Sequence, residues 1–174
     1  LFGDFNPGGK LPVTFPRNVG QLPINYSSKP TRNHRYVDEK ITPLYPFGHG
    51  LSYTTFAYSN LSVQTKGNGY LEIQIELTNT GKVAGEEVVQ VYLSDVISSV
   101  TTPVKLLKRF KRLALKPNET QKITFFLEPE DLALWDRSME MVVEPGTFRI
   151  QVGGNSIEGL KVDFDVLEEI RLRK

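Results

Sequence analysis

The stretch YLEIQIELTN, from Tyr70 to Asn79, alternates without a break. Leu71, Ile73, Ile75 and Leu77 fall on one face, and Glu72, Gln74, Glu76 and Thr78 fall on the other. A period of two is incompatible with a helix and predicts a strand with one buried and one wet face. One such strand cannot bury its apolar side alone, so the rest of the chain has to supply partners. VVQVYLSD (Val88 to Asp95) and QKITFFLEP (Gln121 to Pro129) predict two more strands. LKVDFDVLE (Leu160 to Glu168) predicts another, with Leu160, Val162, Phe164 and Val166 inward. MEMVVEPGTFRIQVGGNS reads as a hairpin: a strand to Val143, a turn over Glu144 to Thr147, and a strand from Phe148 to Val152. KLLKRFKRLAL (Lys105 to Leu115) is ambiguous, because Leu106, Phe110 and Leu113 also fit a helical stripe. Pro103 before it and the turn Lys116 to Glu119 after it favour an irregular strand or strand pair. PEDLALWD opens with proline and two acids, which predicts a single helical turn. Seven or eight short strands, with turns every eight to twelve residues or so, predict an all-β, antiparallel sandwich of immunoglobulin-like type.

The first fifty-odd residues have a different texture. Residues 1 to 57 hold seven of the eleven prolines and show no amphipathic period. KLPVTFP (Lys10 to Pro16) suits one short strand bounded by prolines. SSKPTRNH (Ser27 to His34) is polar and turn-forming and predicts an exposed loop. PLYPFGHGLSYTTF (Pro43 to Phe56) packs two prolines, two glycines and four aromatic rings into a stretch with no regular period. Such an arm cannot build its own core, so it is expected to lie along another surface. The opening LFGDFNPGG carries no methionine and no signal-peptide pattern, and it reads as the interior of a longer chain.

Composition narrows the function more than it names one. With 21 basic and 20 acidic residues spread along 174 positions, the net charge of +1 predicts no nucleic-acid partner and no anionic membrane surface. No apolar run reaches the length of a membrane-spanning helix. Cysteine is absent, which removes disulfides, zinc–thiolate sites and thiol nucleophiles together. The two histidines, His34 and His49, lack metal-ligand spacing, and no serine stands in a nucleophile-elbow pattern. Adjacent acids such as Glu86-Glu87 and Glu130-Asp131 point to opposite faces of a strand and do not converge on a substrate. KRFKR (Lys108 to Arg112) reads as a basic edge strand. Trp135, the one tryptophan, is expected to cap the sandwich beside the helical turn. No catalytic, cofactor-binding or metal-ligating residue is assigned.

PLYPFGHGLSYTTF, preceded by NPGGKLPVTFP and RYVDE, resembles the C-terminal part of glycoside hydrolase family 3, the β-glucosidase and β-xylosidase family. LKRFKRLALKPNETQKITFFL and VVEPGTFRIQVGGNS are similar to phrases of that family's fibronectin type III-like domain. The resemblance runs in order along almost the whole chain. It departs where Gly8 or Gly9 replaces a serine, where His49 replaces a tyrosine, and in a short loop between PINY and HRYVDE.

The resemblance implies that residues 1–56 are the tail of an α/β sandwich domain with its interdomain linker. Residues 57–168 would be the fibronectin type III-like sandwich, and residues 169–174 a C-terminal tail. In the linker, Pro43 and Pro46 fix φ while Gly48 and Gly50 permit turns, so Tyr45, Phe47, Tyr53 and Phe56 are expected to wedge into an interdomain seam. The family hydrolyses β-linked glycosides with retention, using an aspartate nucleophile and a glutamate acid/base, both upstream of the matching segment. The chain is therefore expected to be inactive alone and to need no cofactor. It would stabilise and position upstream barrel and α/β domains, reaching a glycoside only through the parent enzyme. It is expected to be periplasmic or secreted by family habit, with the bare arm available for self-association. The alternative is a carbohydrate-binding or protein-interaction module using Trp135, Tyr92 or the 27–36 loop with His34, Arg35 and Tyr36.

Overall fold

The computed structural model describes residues 3–30 and 40–172. Alternation sets the architecture. Strand β2 (Tyr70–Asn79) lies between β1 (Phe56–Gly67) and β5 (Thr120–Leu127) in a three-stranded antiparallel sheet. Its Leu71, Ile73, Ile75 and Leu77 are all buried, as the period requires. They face a four-stranded sheet in the order β4 (Leu106–Leu115), β3 (Gly85–Asp95), β8 (Gly146–Gly153), β9 (Leu160–Val166). From that sheet Val89, Val91, Phe148, Ile150 and Val152 complete one continuous core. The chain is an antiparallel, fibronectin type III-like β-sandwich.

The longest strand, β1, was the least legible. Its inward residues run Tyr58, then Leu61 and Val63, so the period slips by one residue. Asn60 causes the slip: it adopts φ 55° at a register shift between Ser59 and Ser62. A bulge of this kind re-aims the following side chains and hides the alternation. The ambiguous Lys105–Leu115 segment is a strand, and pairing against β3 overrides its helical propensity. Phe110, part of the apparent helical stripe, is exposed. Arg109 instead makes a two-pronged ion pair to Asp131, at 3.0 and 2.6 Å. That pair ties the sheet edge to the helical turn α1 (Pro129–Leu132), where Asp131 also accepts from the Glu128 N–H.

The expected hairpin across Glu144 to Thr147 does not form. Strand β7 (Met141–Val143) pairs with β6 (Leu134–Trp135) and with β10 (Ile170–Arg171) in a third, small sheet. Strand β8 pairs instead with β3 and β9. The pattern explains the correction: Val142 and Val143 are consecutive and both buried, which a one-faced hairpin arm cannot do. Pro145 has no N–H to give a ladder, and the chain switches sheets there. On β9, Val162, Phe164 and Val166 pack on the core as expected. Leu160, at the strand's first position after the Gly159 turn, stays 37% exposed.

Asn79, at the end of β2, is fully buried and joins three parts of the molecule. Its Oδ1 accepts from the Thr54 hydroxyl (2.6 Å) and the Gly81 N–H (3.0 Å). Its Nδ2 donates to the carbonyls of Val83 (2.9 Å) and Leu115 (3.1 Å). Replacing it with an apolar residue of similar volume strands four partners. Asn79→Leu is expected to lower the unfolding free energy by about 2–4 kcal/mol. A shifted urea midpoint at unchanged m-value would register this, and a shift below about 0.5 kcal/mol would contradict it.

Candidate functional site: the arm on the four-stranded sheet

On strands β3 and β8, the outward positions Gln90, Tyr92 and Gln151 should meet water. All three are at most 3% exposed: the N-terminal arm lies against Gln90 and Tyr92, while Lys105 and the Gly153–Gly159 turn enclose Gln151. Tyr26 and Phe47 stack at 4.3 Å, and Tyr26 meets Tyr92 edge-on at 5.8 Å. Main-chain bonds fix the arm in place: Ser156 N–H donates to the Phe47 carbonyl (2.9 Å) and Val104 N–H to that of Ser28 (3.0 Å).

Beneath the rings the polar groups satisfy one another. The Tyr92 hydroxyl donates to Gln90 Oε1 (2.5 Å), and Gln90 Nε2 donates to the Gly154 carbonyl (2.6 Å). Lys105 Nζ reaches Gln151 Oε1 and the Ser156 carbonyl, both at 2.8 Å. Burial pushes the Tyr92 hydroxyl well above the usual phenol range. Burial, helped by the charges of Lys161 and Arg149, holds the Lys105 ammonium below its ordinary value. No buried side-chain nitrogen or oxygen among the described residues lacks a partner.

A second anchor lies where the arm passes the end of the sandwich. Glu87 is 5% exposed and accepts from Lys10 Nζ at 3.0 Å and from the Tyr58 hydroxyl at 2.9 Å. Burial, then the charge of Glu87, drives the Tyr58 hydroxyl far above the phenol range. Asn6 accepts from Tyr53 N–H (2.8 Å) and Ser52 Oγ (3.0 Å) and donates to the Ala84 carbonyl (2.9 Å). A cleft of about 330 Å³ opens beside this anchor, between Lys10, Ser52, Glu86 and the Gly153–Gly159 turn.

The arm's other side is bare. The arm makes two passes, joined by bonds such as Leu11 N–H to the His49 carbonyl (2.8 Å) and Phe15 N–H to that of Tyr45 (2.9 Å). Phe5, Phe15, Val19, Leu22, Leu44, Tyr45, Leu51 and Tyr53 remain exposed along it. Of the four aromatic residues assigned to an interdomain seam, Phe47 stacks in the arm–sheet contact and Phe56 packs on the core. Tyr45, stacked on His49 at 4.9 Å, and Tyr53 face outward. Trp135 lies on β6 opposite Met141 and is 43% exposed. Tyr92 is fully buried and offers a sugar no surface. His34, Arg35 and Tyr36 lie outside the described residues.

Sequence reasoning missed Tyr26, Gln90, Gln151, Lys105 and the Lys10–Glu87–Tyr58 cluster. A signal was present for two of them: Gln90 stands between Val89 and Val91, and Gln151 between Ile150 and Val152. A lone amide in an otherwise apolar run marks a strand covered on both faces.

The described residues contain no group of three or more His, Cys, Asp or Glu that could hold a metal ion. No helix among them is long and apolar enough to cross a membrane.

Comparison with known proteins matches both halves of this assembly. Residues 1–53 fit the Glycosyl hydrolase family 3 C-terminal domain, and residues 87–156 fit a Fibronectin type III-like domain. The chain belongs to glycoside hydrolase family 3, of which it carries the C-terminal part. It is 42% identical to the periplasmic β-glucosidase of Salmonella typhimurium, over 96% of this chain and 24% of that protein. It is 47% identical to a β-xylosidase of Formosa agariphila, over 90% of this chain and 22% of the relative. A solved β-glucosidase from Erythrobacter marinus superposes with a TM-score of 0.88 at 44% identity, over 94% of this chain and 22% of that one. The Listeria innocua β-glucosidase bound to isofagomine gives 0.86 at 34% identity, over 95% and 25%. The chain thus spans about a quarter of the length of these relatives.

Two measurements test the seam. Gly48 has φ +82°, and a Cβ there would run into the Gln90 side-chain amide. Gly48→Ala is expected to release the arm while the sandwich stays folded. Amide exchange at Val104 and Ser156, whose N–H groups donate to the arm, should speed up at least about tenfold, with the β2 amides unchanged. Unchanged protection of these two amides would refute the seam's dependence on Gly48.

The second concerns the loop after β3, which meets the arm at Ser28. Its Ser99 donates through both N–H and hydroxyl to Glu144. Burial, then the charge of Glu144, pushes the neighbouring Asp95 carboxyl up to about 6. Asp95 therefore binds its proton more tightly in the folded state. Its contribution to stability is full below about pH 4 and is lost as pH rises through 6. Asp95→Asn should gain stability relative to the unsubstituted protein between pH 4 and 7, as urea midpoints would record. A pH-independent difference would contradict the assignment.

Proposed function

We propose that the chain is the non-catalytic C-terminal portion of a β-glucosidase-type retaining glycoside hydrolase, and that it stabilises and positions the catalytic domains. The observation that carries this reading is the two-faced arm. One side is locked to the sandwich through Tyr26, Phe47 and Lys10, and the other exposes apolar residues from Phe5 to Tyr53. An apolar surface of that extent on an irregular segment marks a contact with another body. In this reading residues 1–56 are the end of the α/β domain with its linker, and residues 57–168 are the sandwich that holds them. The matches to β-glucosidases and a β-xylosidase support the reaction class, and the periplasmic relative supports a periplasmic or secreted location. The nucleophile and the acid/base come from upstream domains, so the bond to be cleaved meets those domains and not this chain. Without those domains the bare face associates with itself.

The purified chain is expected to show no turnover of an aryl β-glucoside. Joined to the barrel and α/β domains of its parent, it is expected to yield an active enzyme whose arm residues Phe15, Val19 and Leu44 gain exchange protection. Activity of the chain alone, or a parent equally stable and active without it, would overturn the proposal.

A further inference from the structure

The two outer faces of the sandwich are treated differently. The arm covers the outer face of the four-stranded sheet, whereas the outer face of β1, β2 and β5 lies on the opposite side, away from the arm and anything docked on it. Alternation should make this face uniformly polar, and most of it is: Gln64, Glu72, Gln74, Glu76, Lys122 and Thr124. Two positions break the rule. Phe126 is 62% exposed and Tyr70 is 51% exposed. Phe126 pairs directly with Glu72, so Tyr70 is its diagonal neighbour, about 7–8 Å away in such a ladder. Tyr70 pairs on its other side with Gly67, which has no side chain to cover the ring.

A single exposed aromatic residue needs no explanation, but two side by side on a wet sheet face do. Their ionic surroundings are already matched. Glu72 is paired with Lys66 at 2.7 Å and accepts from Gln74 Nε2 at 2.5 Å. Glu76 accepts from Asn60 Nδ2 at 2.7 Å and faces Lys122 in register. The face therefore has no surplus charge with which to recruit an ionic partner. It offers flat apolar rings beside amide, carboxylate and hydroxyl groups. A pyranose has complementary chemistry, with an apolar C–H face to lie on a ring and equatorial hydroxyls to reach Gln74, Glu72 and Thr124.

We propose that the outer face of β1, β2 and β5 binds a neutral β-linked glycan, with Tyr70 and Phe126 as stacking platforms. The choice of a β-linked glycan among neutral polyols rests on the function proposed above. The site holds polymeric substrate near the enzyme and takes no part in bond cleavage.

The test is affinity electrophoresis of the 174-residue chain through gels containing soluble β-glucan or xylan, with dextran sulfate as the ionic comparison. The neutral β-glycans are expected to retard the chain. Tyr70→Ala and Phe126→Ala should each weaken retention about tenfold, and Phe126→Tyr should keep it. Both rings are exposed, so thermal melts should move little. Should a variant melt early, amide shifts of the unsubstituted chain on adding cellohexaose replace it, with changes expected at residues 64–76 and 120–127. No retention by neutral glycans, tighter retention by dextran sulfate, retention surviving the double substitution, or shifts confined elsewhere would each overturn the site. In the parent enzyme the same substitutions should leave aryl glucoside hydrolysis unchanged while slowing hydrolysis of the polymer. A parent with no glycosidase activity would defeat the function proposed above, whereas an active parent indifferent to both substitutions on polymer defeats only this site.

Discussion

The structure depends on one arrangement of polar groups in a dry place. Gln90, Tyr92 and Gln151 stand on the outer face of the four-stranded sheet, where a free sandwich would let water satisfy them. Under the arm Tyr92 bonds to Gln90, and Gln90 and Gln151 bond to the backbone of the Gly153–Gly159 turn instead. Each buried group left without its partner would lose on the order of 1–3 kcal/mol. The contact is thus correct only in one register, since a slip of the arm by one residue would uncouple Ser156 from Phe47 and drive another side chain against Gln90. Stacking of Tyr26 on Phe47 ties the arm's two passes together, the edge-on contact of Tyr26 with Tyr92 supplies attraction to the sheet, and the amide network supplies the address.

Glu87 adds to the address without adding much to the attraction. A carboxylate buried between Lys10 and Tyr58 loses its hydration, and the ion pair returns roughly what that loss takes. Removing either partner is far more damaging than the pair is favourable, because the remaining charge cannot rehydrate. Lys10 is the only one of the three on the arm. The pair therefore senses whether the arm is seated, while the sandwich core of Leu71, Ile73, Val89 and Ile150 folds on its own apolar contacts.

How much of this was legible follows from what one residue can reveal about its own surroundings. The strands β2, β3, β5 and β9 announced themselves, because burying one face imposes alternation on consecutive residues. β1 hid behind the bulge at Asn60, since a positive φ there moves the phase without altering composition. The false hairpin arose because a turn sequence reveals a change of direction and not which sheet the chain joins next. For the seam, the proline- and glycine-rich arm was readable as a strap, but its footprint was not. Tyr26 looks like any loop tyrosine, and Lys10 and Glu87 are 77 residues apart with no local pattern linking them. Gln90 and Gln151 did carry a signal, because a polar residue inside a strand buried on both faces must have a neighbour to bond.

The same logic explains why the arm has to be stiff. Ordering a flexible segment of such length would consume most of what the seam returns, at roughly 1–2 kcal/mol per residue fixed. Pro43 and Pro46 lower that loss by restricting the free chain before docking, and Gly48 admits the one turn that brings Phe47 onto Tyr26. A rigid strap so placed leaves its outward residues, Phe15 and Tyr45 among them, in a set arrangement edge to face at 6.4 Å. A preformed surface of this kind binds a neighbouring domain without a second ordering penalty. In the role proposed above, the sandwich prepays order for its neighbours: its buried amides fix the strap, and the strap's apolar outer side is what another domain can use.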